Sequence, residues 1–218
     1  MADMLSAVVS PRWRSAAGFT LTEILVTLGL GLVSLATVTS FHHFQLQTLR
    51  RQATQNDLQM TARSVIDLFT RDVRRAGRNP NCSAGVSAIA DAKQFRVRVQ
   101  SDLDGDGTPG GLEEDITYIF KSGMNGIDRV ANGTTATLVD NVVLENSLIR
   151  YFDETGAEIT AGESGLAAGQ RDRVRRIRLQ VVLRSTTPDP QSMVPPRTWI
   201  ANDVDLRNRR FINNISCP

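Results

Sequence analysis

Histidine and cysteine are scarce in this chain of 218 residues, with two of each. That leaves too few ligands for a Cys₄ zinc site, an iron–sulfur cluster or a histidine-rich metal centre. Both histidines, His42 and His43, lie early in the chain, so the remaining sequence has no imidazole to act as a general base. No nucleophile–base motif or phosphate-cradling glycine loop is found, and an enzyme is not expected. Neither sign of charge dominates: 25 Lys and Arg oppose 23 Asp and Glu. The arginines of residues 71–78 and 171–178 are interspersed with carboxylates and lack interleaved aromatics, so they read as solvated faces and nucleic acid is not an expected partner. With 41% hydrophobic and 22% charged residues, the average composition excludes a collagenous repeat, a disordered tail and a polytopic membrane protein.

That average hides one block. From Phe19 to Phe41 the only charged residue is Glu23. As a helix the block is about 34 Å long, enough to cross a hydrocarbon core. The segment before it carries Arg12 and Arg14. A secretory signal has a shorter apolar region with small residues after it, whereas here the small residue, Gly18, comes first. A plain signal anchor would account for the length and the flanking charge. It would not account for Glu23, because a carboxylate within a membrane costs about 2.5–3.5 kcal/mol and is normally paired. Gly29 and Gly31 each weaken a helix by about 1 kcal/mol relative to alanine, and serve either close helix packing or local unwinding.

Gly18 followed by Phe19-Thr20-Leu21-Thr22-Glu23-Ile24-Leu25-Val26 resembles the processing signature of the type IV prepilin and pseudopilin superfamily. The resemblance implies cleavage between Gly18 and Phe19 by a prepilin peptidase and methylation of the new Phe19 amine. It also implies that Glu23 pairs with the amine terminus of a neighbouring subunit and so acts in filament assembly. Looser similarities extend along the chain: QMTARSVIDLFTRDVRRAGRNP at residues 59–80, Asp115-Ile116-Thr117-Tyr118, Asp140-Asn141-Val142, and Val204-Asp205-Leu206-Arg207-Asn208. Together they are most similar to PilW-type minor pilins. A type II secretion minor pseudopilin of the GspJ kind, or a filament-displayed adhesion or DNA-binding module, stays open. The expected partners are prepilin peptidase, other minor and major pilins, the inner-membrane assembly platform, and membrane lipid before assembly. The expected location is the inner membrane, single-pass with a periplasmic head, and then the filament.

Beyond the apolar block, Leu58, Ala62, Val65, Ile66, Phe69, Val73 and Ala76 recur at steps of three and four, the spacing of one helix face. No proline interrupts the sequence from Phe19 to Pro80, and Gly77 is a stop signal. This predicts one helix of about 58–60 residues. Strands are predicted where apolar residues alternate, at Phe95, Val97 and Val99 and at Ile116, Tyr118 and Phe120, and further at Ile127 to Val130, Ala136 to Val139, Val142 to Phe152, Val174 to Leu183 and Trp199 to Leu206. The expected fold is α+β, a long N-terminal helix packed on an antiparallel β-sheet head. Its divisions are a leader at 1–18, a membrane or filament-core half-helix at 19–44, an amphipathic half at 45–78 and a head at 79–218.

Two further features belong to the head. Asp102, Asp104, Asp106 and Glu113 satisfy the spacing D-x-D-x-D-G-x₅-E, which gathers hard oxygen donors around Ca²⁺, with the Thr108 carbonyl as a further ligand. The flanks read as strands, so the expectation is a calcium loop inside a β-connection, with a plain Asp-Gly turn as the alternative. Cys82 and Cys217 could close a disulfide in an oxidising compartment, worth at most about 5 kcal/mol in the chain-entropy account, or remain thiols.

Overall fold

A computed structural model describes residues 18–123, 125–189 and 192–208. Its first element begins where the sequence supplies a cap. The Thr20 hydroxyl accepts the Glu23 N–H at 3.3 Å, and the Thr20 carbonyl accepts the first helical bonds from Glu23 and Ile24. Helix α1 then runs Leu21–Arg75, 55 residues, a little shorter than predicted because the cap occupies Thr20 and the last turn loosens before Gly77. The chain divides into two units, and the division falls within α1 after Thr48.

In the first unit residues 18–47 are all exposed, including Leu21, Ile24, Leu28, Leu32, Leu35 and Phe41. Its hydroxyls are satisfied within the helix. Those of Thr27, Ser34, Thr37, Thr39 and Ser40 donate to carbonyls four residues earlier at 2.8–2.9 Å. Such back-bonding leaves no hydroxyl unpaired on an apolar surface. The most apolar 18-residue window has a mean hydropathy of 2.0, so α1 is long and apolar enough to cross a membrane.

In the second unit the rest of α1 presents the predicted face. Ala62, Val65, Ile66, Phe69 and Val73 are buried, as is Ala76 just past the helix end, and Leu58 packs at the edge of the same core. Each larger side chain contributes about 1.5–3 kcal/mol by burial. Two antiparallel sheets share that core. One has the order β1-β2-β3-β4-β5, formed by β1 Ile89–Lys93, β2 Arg96–Gln100, β3 Asp115–Lys121, β4 Gly126–Ala131 and β5 Thr134–Val139. The other has the order β7-β6-β8-β9, from β6 Leu148–Phe152, β7 Glu158–Ile159, β8 Arg176–Arg184 and β9 Arg197–Asp205. A short helix α2, Ala168–Arg173, precedes β8.

The single expected sheet is thus two, and the predicted strand over Val142 to Phe152 is interrupted. Asn141 takes a left-handed φ of 61°, the chain turns through a 3₁₀ segment at Leu144–Asn146, and the Ser147 hydroxyl donates to the Val143 carbonyl while accepting the Val182 N–H. A one-residue bridge, Val142 to Leu183, is where the chain passes from one sheet to the other. The helix end is fixed from far along the chain. Gly77, at φ 76°, donates its N–H to the Gln100 carbonyl, and the Asn208 amide donates to the carbonyls of Arg74, Arg75 and Ala76 at 3.1–3.2 Å. Otherwise these last carbonyls of α1 would lack partners within the helix.

Candidate functional sites at the helix start and the acidic loop

Of the residues expected at the processing site, Gly18 and Phe19 are exposed immediately ahead of the cap, and Phe19 is 78% accessible. Glu23 is the acidic residue of the first turn. Capping by Thr20 places its carboxylate beside the unpaired N–H groups of the helix start, where negative charge is favoured. Residues 1–17 of the leader expected at 1–18 lie outside the described residues.

The acidic loop connects β2 to β3. Asp102, Asp104 and Asp106 come together, each offering a carboxylate oxygen within 4.8 Å of the others. Asp102 is fully buried and accepts the N–H groups of Gly105 at 2.6 Å and Gly107 at 3.0 Å. Both glycines are left-handed, at φ 83° and 84°, a conformation glycine adopts without steric cost. Asp104 accepts the Asp106 N–H at 3.1 Å, and Asp106 accepts the N–H and hydroxyl of Thr108.

Glu113 does not join them. Its carboxylate turns toward arginines and accepts from Arg75 at 3.2 Å and Arg129 at 3.3 Å. The organising carboxylate is its neighbour Glu114, almost wholly buried, which accepts the N–H groups of Leu103 at 2.6 Å, Asp104 at 3.2 Å and Gly111 at 2.5 Å. A Cβ on Gly111 would stand 2.6 Å from a Glu114 oxygen, so a larger residue here would have to displace that carboxylate. Cys217 lies outside the described residues, and with it the expected Cys82–Cys217 pairing.

Glu113 leads into a buried ionic network that sequence spacing did not reveal. Asp72, on the buried face of α1, accepts the Tyr118 hydroxyl at 2.6 Å and the Arg129 Nε at 2.8 Å, both on one carboxylate oxygen. Tyr118 and Arg129 are opposite partners on β3 and β4. The Tyr118 ring also meets Phe69 edge-on, with centroids 5.0 Å apart. Burial, reinforced by the Asp72 charge, pushes the Tyr118 hydroxyl well above the usual tyrosine range. Burial opposes the charge on Arg129, but the Asp72 carboxylate outweighs it and holds the guanidinium above its ordinary value. The signal that could have found Asp72 is its position, three residues after Phe69 and four before Ala76, a carboxylate on an otherwise apolar face. No comparable pattern separates Glu114 from Glu113.

These features define an α+β protein with an exposed apolar N-terminal helix and a two-sheet head that carries an acidic loop. Compared with known proteins, the chain matches no family model, no curated protein and no solved structure.

Proposed function

We propose that this chain is a structural subunit of a type IV filament, most like a PilW-type minor pilin, which helps to initiate assembly at or near the filament tip. The observation that carries this reading is the exposed first half of α1, which begins at Leu21, after Gly18, Phe19 and the Thr20 cap, and bears Glu23 as its one acid ahead of the amphipathic half. An apolar helix surface of this size must be covered by lipid or by other helices. In the proposal lipid covers it first, in the inner membrane with the head in the periplasm. Other minor and major pilins cover it after prepilin peptidase has cut at Gly18 and methylated Phe19. Glu23 then pairs with a neighbouring subunit's amine terminus. Removing one partner of a buried ion pair costs about 3–5 kcal/mol, so Glu23→Ala should leave cleavage intact while depleting the subunit from sheared filaments. Wild-type incorporation would contradict the role given to Glu23.

The same proposal assigns Ca²⁺ to the acidic loop, on Asp102, Asp104, Asp106 and the Thr108 carbonyl. Its support is the convergence of the three aspartates, which supplies hard oxygen donors suited to that ion. Glu113 is left out of this assignment, because Arg75 and Arg129 hold its carboxylate. Calcium should raise the melting temperature of the full chain in detergent, and Asp104→Asn should abolish the increase. Equal melting in calcium and in chelator would contradict the assignment.

A further inference from the structure

On the outward face of β8 and β9 most arginines are matched by acids. In register, Arg176 stands opposite Asp205 and Arg178 opposite Asp203, joined by ion pairs at 2.9 and 2.5 Å. Cross-strand opposite charges of this kind stabilise a sheet. The pattern fails at the other end of the same two strands. Arg184 stands directly opposite Arg197, both are exposed, and among the described residues neither has a carboxylate within ion-pair distance. Like charges at opposed positions destabilise a strand pair.

One step further along this face, Val182 is buried opposite Trp199, which remains 63% exposed. The loop beyond the arginines closes through the Ser185 N–H on the Pro196 carbonyl and carries exposed Met193 and Val194. Repelling cations one register step from an exposed indole are an unfavourable surface for a protein to present to water. Arginine and tryptophan are also among the residue types that dominate the centres of protein interfaces.

We propose that Arg184, Arg197 and Trp199 form a docking surface for a partner protein segment that presents at least two carboxylates beside an apolar side chain. Charge complementarity identifies the occupant. Acids from the partner supply at this rung what Asp203 and Asp205 supply within the chain, by charge-assisted hydrogen bonds to two guanidinium groups. The partner's apolar side chain covers the Trp199 ring. The surface lies entirely on the head, so the inference does not depend on the filament reading.

The chain has two tryptophans, Trp13 and Trp199, so Trp13→Phe makes Trp199 the sole indole reporter. The full chain with this substitution, in detergent, is titrated with the peptide Glu-Glu-Leu-Glu-Glu, its glutamine counterpart and oligothymidylate. The expected result is a saturable change in Trp199 emission with the glutamate peptide, at least tenfold tighter than with the glutamine peptide. Arg184→Gln and Arg197→Gln should each weaken it at least tenfold, whereas Arg63→Gln on exposed α1 should not. Arg184→Gln should also melt no lower than its parent, because the repulsion is relieved. Equal binding of both peptides, insensitivity to the two arginine substitutions, a lower melting temperature for Arg184→Gln, or preference for oligothymidylate would each overturn the proposal.

Discussion

Asp72 concentrates the energetics of the head. It places a carboxylate at a core position of α1, where Tyr118 and Arg129 share one of its oxygens while the other, among the described residues, has only the Arg71 guanidinium at 3.6 Å. A buried hydrogen bond to a charged group is worth about 1.5–3 kcal/mol, so Tyr118→Phe should cost about that much in thermal or denaturant unfolding of the full chain. The substitution also has a pH signature. The folded pKa of Tyr118 is raised, so the stability linked to its bound proton is present in full below the unfolded tyrosine value of about 10 and is lost as pH rises above it. Tyr118→Phe should therefore make the alkaline loss of stability shallower by about 1.4 kcal/mol per pH unit. Tyr151, whose pKa burial also raises, supplies a remaining slope. An unchanged slope above pH 10 would remove Tyr118 from this role. The buried apolar residues of α1 were legible in the sequence, since Ala62 through Val73 fell where helical spacing put them. Asp72, Arg129 and Glu114 were not, because their partners lie on β3, β4 and the acidic loop and spacing along the chain does not encode distances across it.

Among the elements, α1 was the most legible, since an uninterrupted periodicity and a missing proline suffice to define a helix. Its termination was legible only in part. Gly77 was readable as a stop, but a Cβ at that position would stand 2.8 Å from the Ala88 Cβ in addition to its left-handed backbone. Asn208, which satisfies the last carbonyls, is 131 residues away from Gly77 in sequence. Asn208→Ala should destabilise the head by about 1 kcal/mol, the scale of a net hydrogen bond. Hydrogen exchange should localise the effect to the last turn of α1, and a uniform loss of protection would argue against a capping role. The strands were legible where apolar residues alternate. β1, with the sequence Ile-Ala-Asp-Ala-Lys, has too little apolar contrast to announce itself, and its place beside β2 comes from pairing Ala92 with Val97 and Lys93 with Arg96. The split into two sheets depends on the turn at Asn141 and the hydroxyl of Ser147, both local polar choices inside an apolar run.

Taken whole, the chain joins an apolar helix surface, left uncovered by the described residues of its own unit, to a head with its own hydrophobic core. The head's core unites the second half of α1 with both sheets, and its ordinary composition is what made the full sequence read as that of a soluble protein. The central claim concerns the junction ahead of α1, where Gly18 and Phe19 meet the Thr20 cap. The most direct test is the intact mass and N-terminal sequence of the chain purified from membranes of cells that contain a prepilin peptidase. The account predicts a chain that begins at Phe19 and carries one methyl group on its amine, and a Gly18→Glu chain that keeps all 18 leader residues. A wild-type chain that retains residues 1–18, or one cut after the apolar segment, would contradict it.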